Sequence, residues 1–240
     1  MTILDHTMGK ALQELNNIME ERHIPPVHLS VIGGFAMMLH GFRSLDGVTD
    51  IDYVGTALNR EFQDIAGEIG LKYHLGKDWI NKDVMLSGIS MQDFETITGK
   101  LHFKRALTLS KIDIDALMPQ DLLRLKIIAI DTSMTAVECG GDFTREKDFP
   151  DVCKLADFLQ ISIPDICNEF SEYIESPLTS KALMFYTQSP DKLLEFISKQ
   201  QQINTLSTSI SNMQENGDIG GLFMIHEMLQ NAMDRAKEEE

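Results

Sequence analysis

The sequence predicts an α/β (α+β) fold: a small, twisted mixed sheet with flanking helices, followed by a helical C-terminal part. Up to about residue 130, short β-branched or alternating runs interleave with amphipathic helical stretches. After about residue 131 only helical patterns remain. Proline and glycine mark the joints between them. The expected organisation is an α/β domain over 1–130 and a helical domain over 131–240.

The elements follow in order. Leu12, Leu15, Ile18 and Met19 form one stripe of a helix over 8–22, which Pro25 and Pro26 stop. Residues 27–32 are a short β-branched strand. Gly33-Gly34 is a tight turn into a helix over 35–40, and 49–54 is a second strand. Phe62, Ile65, Ala66 and Ile69 give helical spacing over 60–69, with Asn59 as N-cap and Gly70 at the C-terminal stop. Further strands are expected at 71–75, 84–86, 101–107 and 112–117. Pro119 opens a helix through Leu122, Leu123 and Ile127 to Ile130. Later helices are expected at 150–160, 164–175, 178–187, 190–200 and 218–236. The polar stretch 200–217 reads equally as helix or loop.

Composition narrows the classes. The net charge is −16, from 21 basic and 37 acidic residues, so a protein that coats nucleic acid through a broadly basic surface is excluded. A local basic patch of Lys100, Lys104, Arg105, Lys111 and Arg124 remains compatible with it. No apolar run approaches the ~18 residues of a membrane span. The first residues lack a basic-then-apolar leader pattern, and the expected location is the cytoplasm. The three cysteines, Cys139, Cys153 and Cys167, lack paired spacing, so reduced thiols are expected rather than a zinc ribbon or a disulfide framework.

The chemistry concentrates in one stretch. A strand runs into Gly33-Gly34, a helix follows, Arg43 comes next, and Thr49-Asp50-Ile51-Asp52-Tyr53 forms the following strand. Glycines at a strand–helix junction let backbone N–H groups approach an anion. Asp50 and Asp52 stand at i and i+2, on one face of a strand. Two such carboxylates repel unless a cation sits between them. Mg²⁺ held by carboxylates and substrate phosphates relieves that repulsion and suits phosphoryl displacement. A dinucleotide-binding Rossmann site is a poor match. Gly33-Gly34 is not GxGxxG, and Asp50 and Asp52 come too soon for the ribose-binding acid.

This layout resembles the nucleotidyltransferase superfamily with the DNA-polymerase-β-like minimal fold. Within it the chain is similar to abortive-infection and related toxin-type nucleotidyltransferases, and to a neighbouring bacterial domain group of unassigned function. A second block carries the likeness: Lys126 within an apolar helix, then Arg145-Glu146-Lys147-Asp148-Phe149-Pro150-Asp151. The resemblance spans about 27–157. It implies transfer of a nucleotidyl group from a nucleoside triphosphate to an acceptor hydroxyl on RNA or protein, with Mg²⁺ or Mn²⁺ as cofactor. It further implies a toxin–antitoxin or phage-defence setting with a cognate antitoxin as partner. By this resemblance Gly33 and Gly34 shape the phosphate turn, and Asp50 and Asp52 hold the metal. Arg43 and Thr49 face the nucleotide, and Lys126 and Lys147 face its phosphates or support the site. Asp148 orients the lysine helix or acts near the attacking group.

The family's third carboxylate has three candidates here, Asp113, Asp115 and Asp83, although the first two read first as plain strand-surface residues. If none serves, the same fold would bind nucleotide or a protein partner without turnover. His40 and His102 read as structural histidines, having no second ligand at metal spacing. Trp79 and Asn81 read as a packing and hydrogen-bonding corner, with a substrate-pocket role as the sharper alternative.

Overall fold

The computed structural model describes residues 4, 6–44, 48–82, 101–216, 221, 224 and 225. The expected strand 84–86, nearly all of the expected helix 218–236, Asp83 and Lys100 lie outside these residues.

Helix α1 spans Thr7–Glu21 and buries Leu12, Leu15 and Met19. Strand β1 (Val27–Val31) leads into α2 (Gly33–Leu39), and β2 (Ile51–Val54) follows. Helix α3 (Arg60–Lys72) is capped by Asn59, whose side chain accepts from the Phe62 N–H at 2.8 Å. Then come β3 (Ile80–Asn81), β4 (Phe103–Thr108) and β5 (Ile112–Leu117). These strands make a five-stranded sheet in the order β3-β2-β1-β5-β4. β1 runs parallel to β5 and antiparallel to β2; β2–β3 is parallel and β4–β5 antiparallel. The sheet is therefore mixed.

Alternation divides the sheet's residues by face. Leu29, Val31, Ile51, Tyr53, Ile112 and Ile114 are buried. His28, Ser30, Asp52, Asp113 and Asp115 keep partial or full exposure. The carboxylates thus share the less buried face.

Helix α4 (Pro119–Glu138) carries Lys126 among the buried Leu122, Leu123, Ile127 and Ile130. A single 3₁₀ turn, Glu146–Asp148, enters α5 (Phe149–Leu159), and α6 (Ile163–Glu169) and a second turn at Ser171–Tyr173 follow. Helices α7 (Pro177–Gln188) and α8 (Pro190–Glu215) form a hairpin. Ser162, Ser176 and Ser189 cap α6, α7 and α8, each just ahead of a proline in the first turn.

The chain divides into two compact units. One comprises Met1–Thr132 with Arg145–Glu175; the other comprises Ser133–Thr144 with Ser176–Glu240. A single cut at 130 does not describe this division, because residues 145–175 return to the unit that holds the sheet.

Two sequence expectations are corrected. The stretch 71–75 is not a strand: α3 continues to Lys72, and the chain turns through Tyr73 and the left-handed His74 (φ 58°). Gly70 accordingly does not end the helix. A Cβ there would stand 2.1 Å from the Gly76 carbonyl oxygen and 2.3 Å from the Trp79 Cδ1, so this glycine admits close packing inside a helix. The polar stretch 200–217, open between helix and loop, is helical to Glu215 as the second half of α8.

Candidate functional site

The site lies wholly in the sheet-bearing unit. β1 ends where Ile32 donates its N–H to the Asp52 carbonyl at 2.9 Å, so Gly33 sits directly beside Asp52. Gly33 has φ +62°, a conformation glycine adopts without steric cost. A Cβ on it would lie 2.9 Å from the Asp52 Oδ2. The glycine is what lets this carboxylate occupy its position. Gly34 does the same for a cation, since a Cβ there would stand 3.0 Å from the Arg43 Nη1. The Gly-Gly pair therefore makes room for two side chains of opposite charge.

Thr49 and Asp50 are exposed at the head of β2, and Asp52 is half-buried. Burial first, and then the charge of Asp50, raise the Asp52 pKa above the ordinary carboxylate value. A hydrogen bond from Asn81, and the charges of Lys147 and Lys126, pull it back down. Asn81 reaches Asp52 because the β2–β3 register pairs the two residues. Its neighbour Trp79 is buried and donates its indole N–H to the Ala66 carbonyl at 2.7 Å, anchoring the short strand to α3. A cavity of about 420 Å³ opens beyond β3, lined by Asn81, Tyr53, Phe62, Lys77 and their neighbours.

Behind the carboxylate pair lies a buried network. Arg43 donates from Nε to Asp151 Oδ1 at 2.9 Å and from Nη2 to Asp151 Oδ2. Lys126 donates to Asp148 and stands 2.9 Å from the other acid, at Asp151 Oδ2. Arg145 lies 3.7 Å from the Asp148 Oδ2. Side-chain exposure is 0% for Asp148, 3% for Asp151, 10% for Lys126 and 17% for Arg43, so none of these charges is dissolved in bulk water. Burial disfavours the Arg43 charge, but Asp151, then Asp148 and Asp50, outweigh it and raise its pKa. Arg43 and Lys126 offset the two carboxylates here, with Arg145 adding a third cation at the edge.

These positions sort the residues expected from sequence. Lys126 is committed to two buried acids, and its field reaches Asp52 from within. Asp148 is sealed from solvent against Lys126, an arrangement that orients the lysine. Lys147 is exposed on the 3₁₀ turn, makes no ion pair among the described residues, and its charge is also felt at Asp52. Asp151 and Asn81 were weakly signalled. Asp151 closes the Arg145–Asp151 block, but only the fold shows it joining Arg43 to Lys126. Asn81 is paired to Asp52 by strand register, which local spacing does not encode.

Asp113 and Asp115 do not join the pair. Arg105 bridges both of them, and Asp115 also faces the His28 Nε2 at 3.2 Å. The basic patch is correspondingly weakened: Arg105 serves these acids, and Arg124 lies 3.4 Å from Asp121 and over the Tyr173 ring. His40 faces the Leu117 carbonyl at 2.8 Å, and His102 faces Asp121 at 3.1 Å.

The donor set fits a hard divalent cation. Asp50 and Asp52 offer carboxylate oxygens whose charges repel, and Mg²⁺ or Mn²⁺ takes such oxygens together with substrate phosphates. Among the described residues no group of three or more histidines, cysteines or carboxylates is placed to hold a metal alone. No helix among them is long and apolar enough to cross a membrane. Comparison with models of protein families, with curated proteins and with solved structures finds no match to this chain.

Proposed function

We propose that the sheet-bearing unit is a nucleotidyltransferase, moving a nucleotidyl group from a nucleoside triphosphate to an acceptor hydroxyl on RNA or protein. The observation that carries the reading is the separation of charges. Arg43, Lys126, Asp148 and Asp151 neutralise one another in the interior. Asp50 and Lys147 stay exposed and Asp52 half-buried, two carboxylates with one cation that makes no ion pair among the described residues. That trio suits a divalent cation together with a polyphosphate.

When bound, Mg²⁺ or Mn²⁺ would draw charge from the phosphoryl oxygens. Asp50 and Asp52 would hold it, and Asn81 would keep the Asp52 carboxylate oriented by donating to it. Gly33 keeps Asp52 close to the strand end. Lys147 supplies positive charge to the leaving pyrophosphate from a surface turn. Lys126 acts from the interior, fixed by Asp148 and Asp151. Phosphoryl transfer depends mainly on positioning and charge neutralisation, and these side chains do both. A toxin–antitoxin or phage-defence role, with a cognate antitoxin as partner, belongs to the same proposal.

A second reading is nucleotide or partner binding without turnover. It is favoured by the engagement of Asp113 and Asp115 with Arg105, which leaves them committed away from the Asp50–Asp52 pair.

One assay separates the two. Protein, Mg²⁺ and each α-labelled nucleoside triphosphate are mixed with bacterial RNA and soluble protein, beside an Asp50→Ala/Asp52→Ala control. Label transferred by the wild type alone is the expected result and identifies the acceptor class. Nucleotide binding with no transfer to either acceptor pool moves the assignment to the second reading.

A further inference from the structure

We infer that Asp151 is the positioning residue of this site: by gripping one edge of the Arg43 guanidinium, it leaves the other edge for a polyphosphate chain. This rests on the reading above that the cleft takes a nucleoside triphosphate, and it specifies how the anion is held.

Guanidinium is a planar fork with five N–H donors, and carboxylates grip it along one edge at a time. In this protein the gripped edge is Nε–Nη2, closed by both oxygens of Asp151. The Nη1 group has no hydrogen-bond partner among the described residues and rests over Gly34, where a Cβ would stand 3.0 Å from it. The free edge therefore lies against the Gly33–Gly34 turn. Asp151 is itself fixed from behind. Its Oδ2 lies 2.9 Å from Lys126, and the residue is 2% exposed. Turning the carboxylate would break its contacts with both Arg43 and Lys126, so the guanidinium plane is set by Asp151 and Lys126 rather than by its own rotamer preference.

The chemistry predicts what a conservative change does. In Asp151→Asn one carboxylate oxygen becomes an NH₂ group. Whichever oxygen is replaced, an Arg43 donor, Nε at Oδ1 or Nη2 at Oδ2, then faces another donor, and the fork is released. In Arg43→Lys the charge remains, but an ammonium cannot grip Asp151 with one edge and present a second edge to a ligand. Both changes keep most of the local volume. Both should remove directed anion binding rather than charge as such.

The test uses the full chain, inorganic tripolyphosphate without divalent metal, and titration calorimetry at fixed ionic strength, with circular dichroism to verify folding. The wild type should bind. Arg43→Lys and Asp151→Asn should each weaken binding at least tenfold, and the double variant should be little weaker than either single one, because the residues act as one unit. A merely structural role would lower thermal stability in each variant without this shared, non-additive loss of affinity. If Asp151→Asn does not fold, Arg43→Lys decides alone. Wild type that fails to bind tripolyphosphate, or folded variants that bind it within twofold of wild type, would overturn the inference. The transferase reading is scored separately by label transfer: loss of anion binding in these variants stands even if no acceptor is ever labelled, and label transfer with unchanged tripolyphosphate affinity sinks this inference alone.

Discussion

At Asp52 the cost and the use of the site meet in one side chain. Burial and the neighbouring Asp50 raise its pKa above the ordinary value of 3.8. A carboxylate with a raised folded-state pKa contributes its full stability below the unfolded value, and that contribution is lost as pH rises through the folded value. At neutral pH the wild type therefore carries a penalty. Asp52→Asn removes the charge and still offers Asn81 an acceptor oxygen. The expected outcome is a variant inactive in label transfer yet slightly more stable at pH 7, by up to about 2 °C in Tm, a small figure because the group is partly solvated. The advantage should vanish as the pH is lowered below about 4, which thermal melts across a pH series will read. A variant destabilised equally at every pH would contradict this account. Asp50 and Asp52 were legible from sequence because i, i+2 spacing on a strand encodes a shared face. Asp151 was not legible as a hub, because its partners Arg43 and Lys126 lie 108 and 25 positions away along the chain.

Elements show where local reading fails and why. Gly70 follows a well-formed helical stripe and carries the signature of a helix end, yet the helix runs through it to Lys72. Close approach of Trp79 and Gly76 decides that glycine, and helix capping does not. Gly70→Ala gains helix propensity of about 1 kcal/mol but drives a methyl group into the indole and the Gly76 carbonyl. Overpacking of this kind costs about 1–3 kcal/mol, and the net effect should be destabilising. Trp79 is the only tryptophan, so denaturant unfolding followed by its emission reports the site of the insult directly. A stability equal to or above wild type would show that α3 and β3 yield more readily than this geometry implies. The expected strand at 71–75 failed for the same reason: its apolar residues follow from the last turn of α3. The polar half of α8 was ambiguous because a weakly amphipathic helix lacks the periodic stripe that sequence reading relies on.

Across the whole molecule, a net charge of −16 makes any cation stabilising through screening, so a metal effect must be separated from a salt effect. Mg²⁺ should raise the Tm of the wild type beyond ionic-strength-matched NaCl, and leave Asp50→Ala/Asp52→Ala with the salt effect only. At tenfold excess over its Kd a single bound ion stabilises the fold by about 1.4 kcal/mol. Equal shifts in both proteins would remove the cation from Asp50 and Asp52. The mixed sheet with flanking helices was legible in the alternation of patterns before residue 130, and the helices after it were legible in theirs. The return of 145–175 to the sheet-bearing unit was not, since helical periodicity says nothing about which neighbour a helix chooses.

The cancelled charges around Asp151 also bear on how such a chain changes over generations. Deleting one member of a buried ion pair strands its partner and costs about 3–5 kcal/mol, a large part of a typical domain's stability. Arg43, Lys126, Asp148 and Asp151 each have at least one partner in the group, so almost every single-step departure passes through a poorly folded intermediate. Descendants are therefore expected to keep the four together or to exchange them in compensating pairs, whereas nothing in the fold holds the exposed Lys147, which only its charge at the site would preserve.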